Sequence, residues 1–136
     1  MDDETLWAQF HACTLPSDAW THRSHVRMAW LYRRRHPLDE AHVLMRVGII
    51  KLNAAHALVE TPERGYHETI TRAWLAHVGG LMRETAEITD SITFFESMGD
   101  RVAQSALLGH YSRDRMLSLP ARARFVEPDL APLVDA

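Results

Sequence analysis

The sequence predicts an all-α protein: a compact helical bundle of four main helices, short C-terminal helices and a packed tail that contains prolines. Three observations carry this. No stretch alternates apolar and polar residues cleanly over several positions, so strand signals are nearly missing. Apolar residues recur at spacings of three and four over long segments, the helical period. Prolines, glycines and short polar caps punctuate those segments at frequent intervals.

The first helix runs from about Glu4 to Leu15 and stops before Pro16. The second follows the cap candidates Ser17 and Asp18 and spans about Trp20 to Arg35. Pro37 suits the first turn of the third, with Asp39 and Glu40 at its positive end, and the helix reaches Leu58 or Glu60. Thr61-Pro62-Glu63-Arg64-Gly65 is a connection. A fourth helix spans about Tyr66 to Val78, where Gly79-Gly80 weakens or ends it. Asp90 or Ser91 caps a short piece ending near Gly99, Asp100 caps another to about His110, and Ser112 starts a last one. The tail places Phe125, Val126, Leu130, Leu133 and Val134 among Pro120, Pro128 and Pro132, and is expected to pack across the bundle.

The 136 residues suit a single domain, 1–136, with 46% hydrophobic and 24% charged residues, an ordinary mix for a soluble globular protein. A formal net charge of −3 argues against a nucleic-acid partner held by a basic field. Arg33-Arg34-Arg35 reads as a solvated helix end that complements the helix dipole. The single cysteine, Cys13, excludes an internal disulfide and reads as inert. The acidic start, Met1-Asp2-Asp3-Glu4, is the wrong charge for a leader peptide, and no apolar run approaches the ~18 residues of a membrane span. A cytoplasmic protein is the expectation.

Sorting each helix at about 100° per residue exposes three histidines on inward stripes. On the second helix, Arg23, Arg27 and Arg34 mark a side expected to face water, and His22, His25, Ala29 and Tyr32 lie opposite. On the fourth, the inward stripe is His67, Ile70, Thr71, Trp74, Val78 and Leu81, with Glu68 turned away as a first-turn partner of the dipole. His22 and His25, one turn apart, with His67 facing them, form a candidate ligand set for a divalent transition metal, zinc or iron. Three protein ligands would leave positions open for water or substrate. Zinc would bring hydrolysis or lyase-type proton transfer, and iron would bring oxygen chemistry. The plainer alternative is that each histidine is a core residue hydrogen-bonded to a carbonyl or carboxylate.

The third helix is apolar nearly all round. Its stripe is Val43, Val47, Ile50, Ala54 and Leu58, and its far side carries the small residues Ala41, Gly48 and Ala55 at heptad spacing. Such a helix is buried in the domain or at a subunit contact, which raises a homodimer. A polar line, His42, Arg46, Asn53, His56 and Glu60, suggests the wall of a wet pocket. In this scheme Glu68 or Glu60 is the acid/base, Tyr66 a hydrogen-bond donor, and Arg46 the clamp for a small polar or anionic substrate. Asn53, His56, Tyr32 and Trp74 complete the substrate wall. The alternative is a non-catalytic helical domain that binds a small molecule or a partner.

Arg72-Ala73-Trp74-Leu75-Ala76-His77 resembles, in its Arg-x4-His spacing, the small all-α ribonucleases of the HEPN class. The resemblance covers two residues, and Ala73 stands where that family usually has a polar residue. It implies RNA cleavage dependent on Arg72 and His77. Metal-binding four-helix proteins of the DinB type also use three histidines, without a linear motif shared here.

Overall fold

The computed structural model describes residues 1–134, and among these it holds helices, turns and one isolated bridge between Thr61 and Arg64. Seven α-helices follow in order: α1 (Asp3–Ala12), α2 (His22–Arg35), α3 (Leu38–Ala55), α4 (Glu68–Glu84), α5 (Ser91–Met98), α6 (Arg113–Met116) and α7 (Leu119–Ala123). Tight 3-10 turns occupy Ser17–Ala19, Gly99–Val102 and Ala106–Gly109. No described helix is long and apolar enough to cross a membrane.

The boundaries differ from expectation for local reasons. α1 ends at Ala12 because Cys13 turns left-handed, at φ 58°. Ser17 and Asp18 cap nothing and instead form a 3-10 turn. The cap of α2 is Thr21, in a reciprocal capping box with Ser24, so His22 is the first helical residue. α3 stops at Ala55 because Ala57 takes φ 56° and His56 reaches away to the carbonyl of Leu15, at 2.8 Å. α4 starts at Glu68 and runs unbroken through Gly79 and Gly80 to Glu84. Both glycines are buried, and a Cβ at Gly80 would come within 3.3 Å of the Val134 side chain, so the tail packs where a larger residue would stand. The stretch expected as one helix from Asp100 to His110 is two 3-10 turns.

α2 is the central helix, in contact with α1, α3, α4 and α5. Val26 through Tyr32 are all buried, which leaves its polar side chains no route to water. Arg27 was expected to face solvent and is only 5% exposed. Its Nε donates to Ser91 Oγ at 2.7 Å, and its Nη2 donates to the Met1 carbonyl at 2.9 Å and to Asp3 Oδ1 at 3.1 Å. Asp3 also accepts from the Ser91 backbone N–H and hydroxyl. A buried cation stands only when paired and hydrogen-bonded, and this group ties the starts of α1 and α5 to the middle of α2.

α3 is rotated relative to expectation. Ala41, Met45, Ile49 and Leu52 face the core, and the stripe Val43, Val47 and Ile50 faces solvent, with 51%, 45% and 45% exposure. The reason lies at Gly48. A Cβ there would fall 2.7 Å from Cζ of Phe10 and 3.3 Å from the Tyr32 hydroxyl. The small-residue side is thus the side on which α1 and α2 press against α3 within the chain.

Replacing Gly48 by alanine should therefore destabilise the protein. The better helix propensity of alanine offers about 1 kcal/mol. Overpacking against fully buried Phe10 costs about 1–3 kcal/mol, so a net loss is expected, read as a lower urea midpoint at unchanged helical circular dichroism.

Candidate functional site

A cavity of about 610 Å³ lies between the N-terminal ends of α2 and α4 and the segment from Gln104 to Leu117. Its walls are aromatic and aliphatic: Trp20, Trp74, Ile70, Leu107, Leu108 and Met116, with Leu117 at the edge. His22 and His25 stand in the same wall, beside Thr21, and Gln104, Ser105 and Arg113 supply exposed polar groups.

The two histidines differ. His22 Nε2 lies 2.7 Å from the carbonyl of Val102. A carbonyl only accepts, so Nε2 carries the proton and Nδ1 keeps its lone pair. The ring edge meets Trp74, with centroids 5.1 Å apart. His25 stacks on Trp20, centroids 5.2 Å apart and planes 18° from parallel. Its Nε2 is buried and makes no hydrogen bond. Burial, and then the neighbouring His22, push its pKa down from 6.5 to about 4, so the ring is neutral near pH 7. A buried polar atom without a partner costs roughly 1–3 kcal/mol, and the side chain that bears it forms part of the cavity wall.

His67 does not join them. It is the N-cap of α4, and its Nδ1 accepts from the Ile70 backbone N–H at 3.0 Å. Its Nε2 donates to the Met116 carbonyl at 2.9 Å. Both nitrogens are spent, so no lone pair remains for a metal. Among the described residues no group of three or more His, Cys, Asp or Glu side chains is disposed to hold an ion. The expected three-histidine centre for zinc or iron is thus not assembled. His67 works as a clasp between α4 and α6, and both His67 and His22 bond to backbone carbonyls as core histidines do.

Glu68, with Tyr66 beside it, lies on the other side of α4, at a second cavity of about 390 Å³ lined by His42, Arg46, Glu68, Arg72 and Phe125 among others. Glu68 is the hub. Arg46 grips it with two nitrogens, at 3.1 and 2.7 Å. Tyr66 donates its hydroxyl at 2.6 Å, and His42 Nε2 lies 2.9 Å away. Burial works against the charge on Glu68, but the hydrogen bonds from Arg46 and Tyr66 outweigh it and hold the carboxyl below its usual range. On His42, burial together with the cations Arg46 and Arg72 outweighs Glu68 and lowers the pKa. Its Nδ1 accepts from Arg72 Nη1 at 3.3 Å, and Arg72 also binds Asp39 at 3.0 Å. Glu68 is saturated with donors and Arg46 is consumed by it, so neither stands free as acid/base or substrate clamp.

The remaining expected site residues are placed elsewhere. Tyr32 donates to His11 Nε2 at 2.9 Å, and burial raises its pKa to about 12. His56 is a latch to Leu15. Glu60 accepts from the Tyr66 N–H at 2.9 Å and folds the loop over Gly65, whose φ of 109° only glycine adopts readily. Asn53 is buried on α3 and lines neither cavity. Of the pair with HEPN spacing, Arg72 turns to α3, and His77 binds the Arg101 carbonyl at 2.6 Å. Trp74 alone among the expected substrate contacts lines the larger cavity, with His22 and His25. Trp20 and the Leu107–Leu117 wall were not foreseen, because turns and helices of three or four residues carry too little periodicity to show which way their side chains point.

Two outcomes follow. His67→Ala removes a cap and a buried hydrogen bond and should cost about 2 kcal/mol, whereas His67→Asn, which keeps a capping oxygen, should recover about half, measured by urea unfolding. Second, a histidine whose folded pKa lies below its unfolded value leaves the unfolded chain binding more protons. Stability is then complete above pH 6.5 and falls as pH drops toward about 4, by on the order of 3 kcal/mol from His25. His42, His67 and His77 shift in the same direction. A denaturation series across that range should show the decline, and His25→Phe should make it shallower. No protein-family model, curated protein or solved structure matches the chain.

Proposed function

We propose that the protein is a small-molecule-binding helical domain, and that the cavity between α2, α4 and the C-terminal turns takes a flat, largely apolar molecule with an anionic group. The observation that carries this reading is an aromatic-walled cavity of about 610 Å³ whose wall includes His25, a side chain with an unpartnered, buried Nε2. Ligand pockets are mostly apolar and aromatic, with a few polar groups that orient the bound molecule. Trp20 and Trp74 offer faces and edges for a planar body. Arg113 is exposed beside the cavity and makes no ion pair or side-chain hydrogen bond among the described residues, which leaves its guanidinium for a carboxylate or similar anion. Gln104 and Ser105 likewise keep their side chains uncommitted.

The test uses naphthoate, a planar aromatic carboxylate, followed by calorimetry and by quenching of tryptophan fluorescence. Saturable binding at one site is expected. A charge-assisted hydrogen bond is worth about 1.5–3 kcal/mol, so Arg113→Gln should weaken it by about tenfold or more. His25→Phe keeps the stack on Trp20 but removes the orphaned nitrogen. It should raise the stability of the free protein by about 1 kcal/mol while weakening naphthoate. Absence of saturable binding, or affinity indifferent to both changes, would overturn the proposal.

A further inference from the structure

We propose that the outward face of α3 is the contact surface of a symmetric, antiparallel homodimer. Val43, Leu44, Val47 and Ile50 are 51%, 41%, 45% and 45% exposed along this helix, a contiguous branched aliphatic patch of the kind monomers seldom leave in water. Two charges lie in the same patch. At about 100° per residue, Glu40 and Lys51 fall on the same side as Leu44 and Val47, near opposite ends of the helix. Glu40 is exposed, with only a loose contact to His36 at 3.9 Å. Lys51 is exposed and makes no side-chain hydrogen bond or ion pair among the described residues.

These charges choose the occupant and its direction. A second copy running antiparallel sets Glu40 against the second copy's Lys51, and two-fold symmetry repeats the pair. The same alignment sets Leu44 opposite Val47, because both pairs are centred between Met45 and Arg46. A parallel copy would instead oppose like charges. The helix is about 27 Å long, so one helix from each copy makes a contact at the small end of specific interfaces, below roughly 1,200 Å². The dimer is therefore concentration-dependent.

The experiment is sedimentation velocity on the full chain from low to high micromolar concentration. The wild-type protein should shift from monomer to dimer. Val47→Glu, placed beside the axis, should leave a monomer with unchanged circular dichroism, since the residue is already exposed. Lys51→Glu should weaken association by about tenfold, and Glu40→Lys together with Lys51→Glu should restore it. A wild-type chain that stays monomeric, or a dimer indifferent to Val47→Glu, overturns the proposal. A charge reversal that the double exchange fails to rescue overturns the antiparallel register. None of these residues lines the larger cavity, so naphthoate binding tests a separate claim.

Discussion

A helix enclosed on every side must find a partner for each of its polar groups, and this requirement on α2 organises the protein. Arg27 finds Asp3 and Ser91, and so fixes where α1 and α5 begin. His22 finds the Val102 carbonyl and draws the chain after α5 across the start of α2. Tyr32 finds His11, which itself bonds to the Trp7 carbonyl, and Arg33 finds the Leu75 carbonyl on α4. Together these bonds offset a desolvation cost that would otherwise approach the net stability of a domain this size. His25 is the exception. Its neighbours supply a stacking face and no partner for its buried Nε2, and its ring forms part of the wall of the aromatic cavity.

The start of α4 shows how three adjacent residues divide the work. Tyr66 and Glu68 turn toward α3 and build a closed ionic cluster with His42 and Arg46. His67, between them, turns the opposite way, caps its own helix and holds α6 through Met116. The cluster and the clasp therefore fix opposite sides of α4, and Met116 is brought into the cavity wall by the clasp. Thr69 extends the same logic, donating to the Arg124 carbonyl and accepting from the Val126 N–H, so that the tail closes over the helix. Chemistry-bearing side chains here serve to place walls, and the open polar groups are left to the cavity.

Because α3 is apolar on nearly every side, its pattern does not say which side is inner. Close approach decides it. Gly48 admits Phe10 and Tyr32 where any larger residue would hold α1 away, and Ala41 and Met45 follow it into the core. The bulkier stripe is then left outside. The polar line read as a pocket wall is divided among different tasks: His42 and Arg46 enter the ionic cluster, His56 ends the helix, and Glu60 fastens the next loop.

The chain by itself determined the all-helical class, the four principal helices and the short capped pieces after Asp90 and Ser112, because periodicity, caps and prolines act within a few residues of one another. It also marked His22, His25 and Trp74 as inward residues. What it left open was every question of convergence. The state of His67 turned on a helix starting at Glu68 and not at Tyr66, since a shift of two residues changes a core side chain into a cap. The burial of Arg27 turned on Asp3 and Ser91, which lie 24 and 64 positions away. Only tertiary packing brings such groups within hydrogen-bond range, and only there does a nitrogen become satisfied, as in His67, or remain without a partner, as in His25.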